Sequence, residues 1–126
     1  GTSEATYNGD ISEDDCDSSS ATLDHIAWYL ANSSPTTQPV AQKEPNAWGL
    51  YDMLGNVYEW NWDTSAPYES EALEDPAGAS NGLKRVFRSC GWDVSARGCR
   101  AAARDGGQPE RLDGVLGFRP VRTLFE

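Results

Sequence analysis

The stretch WGLYDMLGNVYEWNW at residues 48–62 constrains this chain more than any other. It carries three of the five tryptophans and two of the five tyrosines, with glycines at 49 and 55 as hinges. With five Trp, five Tyr and three Phe in the chain, the core is expected to be built from large aromatic rings rather than from stacked aliphatic helices. The stretch predicts a turn, a short helical piece around Tyr51–Leu54, then a strand over Val57–Trp62.

The flanks read mostly as loop. Residues 1–20 hold five serines and an acidic run, Asp10, Glu13, Asp14, Asp15 and Asp17, without apolar periodicity. The calcium-loop pattern D-x-[DN]-x-[DN]-G is missing there, so the run reads as a solvated acidic loop. Residues 22–31 (TLDHIAWYLA) have enough apolar surface to anchor a short strand or a turn of helix. With no second histidine in the chain, His25 reads as a packing or surface residue. Pro35, Pro39 and Pro45 make residues 32–47 an ordered surface loop, in which Asn32-Ser33-Ser34 fits the glycosylation acceptor pattern. Residues 64–83 and 105–114 read as loops, 84–92 and 115–122 as strands, and 97–104 as a strand or short helix. A length of 126 residues gives room for one domain.

The net charge of −10 conceals a split: residues 1–83 hold 15 acids and one base, Lys43, whereas residues 84–126 hold nine bases and five acids. The two segments should attract each other. An acidic surface overall repels a phosphate backbone, so nucleic acid is not an expected partner. No run of 18 apolar residues exists, hence no expected membrane span, and no charged-then-apolar leader opens the sequence as given. The cysteines at 16, 90 and 99 match neither C-x-x-C nor an even disulfide framework. A hairpin or loop can join Cys90 to Cys99, leaving one over.

PNAWGLYDMLGNVYEW, at 45–60, resembles the P-N-x-[WF]-G-L-Y-D-M-x-G-N-V-W-E-W signature of the formylglycine-generating enzyme (sulfatase-modifying factor) family, with Tyr58 where a Trp is usual. RVFRSCGW at 85–92, CRAAAR at 99–104 and LGFRPVR at 116–122 resemble later family motifs in the right order. The resemblance implies an α+β, loop-rich, C-type-lectin-like fold with short antiparallel strands, of which this chain is the C-terminal half. The N-terminal half of such a domain, or another chain, is then an expected partner.

The resemblance further implies a structural calcium held by the Asp52 and Glu59 side chains and the Gly55 and Val57 carbonyls, hard oxygens of the kind calcium takes. It does not carry over the oxidase site. There two cysteines grip copper, and the matching positions are Val94 and Cys99, so one soft thiolate is missing. An iron-histidine branch of the family is equally unsupported by a chain with one His.

A further branch resembles the variable proteins of diversity-generating retroelements, whose last forty or so residues are mutated at template adenines. Trp92, Ala96, Arg97, Cys99, Arg100, Arg104, Pro109, Gly117, Phe118 and Arg119 match its fixed positions. Asp93, Val94, Gly98, Ala103, Asp105, Gly106, Asp113 and Gly114 fill positions that are Asn in the template, and residues 84–126 contain no Asn. Asp, Val, Gly and Ala are each reachable from an AAC codon by changing adenines alone.

The expected function is therefore recognition of a protein or glycan, at a cell surface or after secretion, through Ser89, Cys90, Trp92, Asp93, Val94, Ser95, Gly98, Asp105, Gly106, Gly107, Arg111, Asp113 and Gly114. A formylglycine-generating-type oxidase and a scaffold subunit are the competing readings.

Overall fold

The computed structural model describes residues 3–12, 19–68, 78 and 82–122. Glu13, Asp14, Asp15, Cys16 and Asp17 lie outside the described residues. A single helical turn, α1 (Ala21–Asp24), precedes a sheet of β1 (Tyr58–Thr64), β2 (Arg85–Arg88), β3 (Arg104–Gly107) and β4 (Leu116–Phe118), with a 3-10 turn at Ala96–Gly98 between β2 and β3.

The strands lie in the order β3-β2-β1-β4. β2 pairs antiparallel with both β1 and β3, placing Phe87 opposite Trp60 on one side and Asp105 on the other. β4 pairs with β1 in parallel, Tyr58 beside Leu116 and Trp60 beside Phe118. The expected short strands are present, but the sheet is mixed rather than purely antiparallel. A parallel neighbour needs a long return path, and residues 65–115 supply it.

Several boundaries differ from expectation for local backbone reasons. Tyr51–Leu54 is not helical, because Asp52, Gly55 and Asn56 take φ of +53°, +86° and +65°, left-handed values that no right-handed helix accommodates. Ser89, at φ +72°, ends β2 after four residues instead of letting it run to Trp92. The segment expected as loop from residue 105 begins inside β3. Gly106 and Gly107 let that strand press against Ser65 and against the Trp60 and Phe87 rings.

Beside the sheet, the main core joins Leu23, Ile26, Ala27 and Tyr29 to Ile11, Leu54, Cys90, Ala96 and Cys99. Cys90 and Cys99 are bridged, both fully buried. Tyr29 carries its hydroxyl into this core and satisfies it, donating to Asp24 Oδ1 and accepting from the Ser20 N–H, each at 2.7 Å. Asn32 turns inward too, its amide donating to Asp24 Oδ1 and to the Ala27 carbonyl at 3.1 Å. It is a structural side chain, not an available glycan acceptor.

The acidic and basic segments do meet, mainly through carbonyls and ring faces. Arg85 lies over Trp62 and Arg104 over Tyr68, at 4.9 and 4.7 Å from the ring centroids. Arg88 donates to the Tyr68 hydroxyl and Arg104 to the Ala66 carbonyl. No helix among the described residues is long and apolar enough to cross a membrane.

Candidate ligand-binding site

Successive side chains of a strand point to opposite faces, and β1 uses both. Tyr58 faces one cleft. Glu59, together with Val57 just before the strand, faces another.

The Tyr58 cleft encloses about 250 Å³ and is lined by Tyr58, Phe87, Asp93, Asp105, Arg111, Asp113, Val115 and Leu116. Tyr58 and Phe87 meet edge to face, ring centroids 5.1 Å apart, and Phe87 meets Trp60 the same way at 5.4 Å. The acids and Arg111 come from three separate places: the loop after β2, β3 itself, and the turn before β4. Burial and the nearby Asp93 and Asp105 carboxylates raise the Tyr58 hydroxyl above the usual phenol value, with Arg111 opposing. Arg111 grips Asp113 through Nε and Nη2 at 3.2 and 2.5 Å, which holds the Asp113 carboxyl below the usual carboxylate value.

The loop that presents Asp93 is pinned along its backbone. Trp92 N–H donates to the Asn56 carbonyl, Ser33 Oγ donates to the Trp92 carbonyl, and the Leu30 N–H donates to the Val94 carbonyl, at 2.8, 2.9 and 3.0 Å. The disulfide closes the loop at its base.

Asp93, Asp105, Arg111 and Asp113 are thus gathered at one cleft, with Gly114 exposed beside it. The other expected contact residues do not line this cleft. Ser89 is buried and its Oγ accepts from the Gly55 N–H at 3.1 Å. Cys90 is locked in the disulfide and presents no surface. Val94 packs inward on the main core, with Gly98 beneath it, and Ser95 precedes the 3-10 turn. Gly106 faces Ser65, and Gly107 faces the Trp60 and Phe87 rings and the Arg111 stem. Trp92 is half-buried and joined to its neighbours through its backbone. Tyr58, Phe87, Val115 and Leu116 were not among the expected contacts.

The other cleft, of about 480 Å³, is lined by all four expected calcium positions, Asp52, Gly55, Val57 and Glu59. Arg119 donates to both Glu59 oxygens, at 2.7 and 3.0 Å, and to the Asp52 carbonyl at 2.9 Å. The bond to Glu59 holds the Arg119 guanidinium even more firmly charged than usual. Asp52 Oδ2 accepts the Ala41 N–H at 2.8 Å. The oxygens match calcium in kind, and an ion here would share Glu59 with Arg119.

A sheet of short strands, a disulfide-closed loop and a cleft lined by strand and loop side chains fit a domain of the formylglycine-generating-enzyme type. Residues 1–124 match the sulfatase-modifying factor enzyme 1-like domain, and the chain belongs to that family. It is similar to Treponema denticola variable protein 1, with a TM-score of 0.74 and 39% identity over 78% of this chain and 36% of that one. It is 40% identical to the serine/threonine-protein kinase Pkn1 of Chlamydia trachomatis serovar L2 over 72% of this chain and 16% of that protein. It is 36% identical to the formylglycine-generating enzyme of Streptomyces coelicolor over 67% of this chain and 28% of that protein. The chain therefore spans less than a third of these two relatives.

Proposed function

We propose that this chain is a non-catalytic recognition domain of the diversity-generating-retroelement variable-protein type, binding a protein or glycan through the Tyr58 cleft. One observation carries the reading: Asp93, Asp105 and Asp113, three of the positions that match template Asn codons, converge on a single cleft from the loop after β2, the strand β3 and the turn before β4. Varying these exposed side chains changes the cleft while the backbone pairing of the sheet stays as it is. Similarity to a Treponema denticola variable protein supports this.

The disulfide weighs against the oxidase reading. Cys99, at the one thiolate position that remains, is bonded to Cys90, and Val94 stands inward at the other. Calcium, in this proposal, is a structural ion held by Asp52, Gly55, Val57 and Glu59. The exposed apolar residues Leu50, Tyr51 and Phe118 around that cleft offer a packing face for the remainder of a longer domain, since the chain spans 36% of the Treponema protein.

The test is genomic: sequence the DNA around the gene for a near-copy of the codons for residues 85–119 that differs only at adenines. Such a copy beside a reverse transcriptase establishes the reading. Its absence reassigns the cleft to a fixed ligand.

A further inference from the structure

The cleft around Tyr58 is built for a particular kind of group. Its lining holds three carboxylates, from Asp93, Asp105 and Asp113, against one cation, Arg111. Arg111 is paired with Asp113. No ion pair among the described residues engages Asp93 or Asp105. Asp105 Oδ1 accepts only the N–H of the next residue, Gly106, at 2.7 Å. Asp93 Oδ1 lies over Gly91, where a side-chain carbon would come within 2.6 Å of it and 3.4 Å of the Tyr58 ring. The missing side chain at Gly91 is what brings that carboxylate beside the aromatic floor.

A second observation says what such a place accepts, because the cleft already contains one cation of its own. The Arg111 guanidinium is bonded to Asp113 while lying 6.0 Å from the Phe87 ring centroid. That is the arrangement in which a carboxylate and an aromatic face hold a guanidinium together. Asp93 and Asp105, with Tyr58, supply the same kinds of group at the same cleft, and no ion pair among the described residues engages either carboxylate.

We infer that the Tyr58 cleft binds a guanidinium or alkylammonium group, presented by a lysine- or arginine-bearing segment of a protein ligand. The inference rests on the recognition reading above. An anionic ligand meets repulsion from the lining and from a chain of net charge −10. A neutral sugar needs paired donors and acceptors, and the lining is weighted toward carboxylate acceptors, with Arg111 Nε and Nη2 already donating to Asp113. A bare metal ion needs donors converging on one point, and no group of three or more His, Cys, Asp or Glu side chains does so among the described residues. About 250 Å³ is below the usual size of a small-molecule pocket and suits one side-chain head group.

The experiment is a selection of random peptide and glycan libraries on the full protein, followed by titration of the winners. N-acetyl-arginine amide serves as the minimal probe, with N-acetyl-citrulline amide as its uncharged isostere. Expected are peptides with a required Lys or Arg, binding that weakens with salt, and a loss of about tenfold or more in the Asp93→Asn/Asp105→Asn double variant. Both substitutions keep side-chain shape and the Asp105 Oδ1 acceptor, and circular dichroism confirms that the variant is folded. Equal binding of the citrulline and arginine probes, or ligands without a cation that the double variant binds unchanged, overturns the inference and leaves the recognition reading standing. Absence of any ligand that competes at this cleft removes both.

Discussion

Glu59 and Arg119, sixty residues apart, form a two-pronged ion pair whose guanidinium also reaches the Asp52 carbonyl. One side chain thereby fastens the end of the chain to β1 and to the irregular turn before it. Arg119→Ala leaves a half-buried carboxylate without its partner, which should cost about 1–3 kcal/mol of stability by denaturant unfolding. Arg119→Lys restores the charge but not the fork, and should recover less than half of that loss. A loss within error for Arg119→Ala would show that the pair is incidental.

Calcium, if it shares Glu59 as proposed, should raise the melting temperature in a concentration-dependent way. At a hundredfold excess over the dissociation constant the gain is about 2.7 kcal/mol. Asp52→Asn should lower calcium affinity by calorimetry, and magnesium should substitute poorly, because carbonyls at irregular spacing suit the larger ion. A melting temperature indifferent to calcium and chelator alike would remove the ion from the account.

The disulfide closes a short loop, Cys90 to Cys99, nine residues apart. Loop-closure entropy for that length makes the bridge worth about 2–3 kcal/mol. Reduction, or paired Cys90→Ala/Cys99→Ala substitution, should destabilise the domain by that amount and weaken ligand binding further, since the Asp93 loop loses its base. In the native protein neither cysteine should react with maleimide before unfolding, and copper(I) should find no thiolate at Cys99 without reductant. Ready labelling of Cys99 would reopen the oxidase reading.

The family and its fold were legible in the ordered motifs at 45–60, 85–92, 99–104 and 116–122, which no periodicity argument could have supplied. What stayed hidden was set by backbone geometry. Asp52 gives only a weak sign in its residue type, and Ser89 none, of the left-handed conformations that abolish the expected helix and cut β2 short. Asp93 and Val94 are neighbours that both fit the variable pattern, yet one reaches the cleft and the other the core. Only the alternation imposed by the pinned loop separates them. The parallel pairing of β4 was equally invisible, because a three-residue strand has the same composition in either direction.

Gly55 marks where substitution should be least tolerated. Its φ is +86°, and a side-chain carbon there would come within 2.5 Å of both the backbone N and O of Trp28. The neighbour is backbone, so it cannot swing aside. Gly55→Ala should cost about 2–4 kcal/mol from backbone strain and overpacking together. Gly114→Ala, where no atom lies within 4 Å, should be nearly silent. A comparison of the two unfolding midpoints checks both.

The tyrosine at the cleft floor reports the local field directly. Burial comes first among the causes that raise Tyr58, followed by the negative charges of Asp93 and Asp105. A raised value means that the folded state favours the neutral phenol, so its contribution to stability is present below about pH 10 and lost as pH climbs through the folded value. Asp93→Asn should therefore move the Tyr58 titration down toward the ordinary phenol value, read by ultraviolet absorbance against a Tyr58→Phe control. Arg111→Gln should move it up, because the one opposing charge is gone. A bound cation should act like Asp93→Asn, lowering the Tyr58 value as ligand saturates the cleft. A Tyr58 titration that ignores Asp93 would mean that the carboxylate does not face the ring, and the charge argument for this cleft would fail with it.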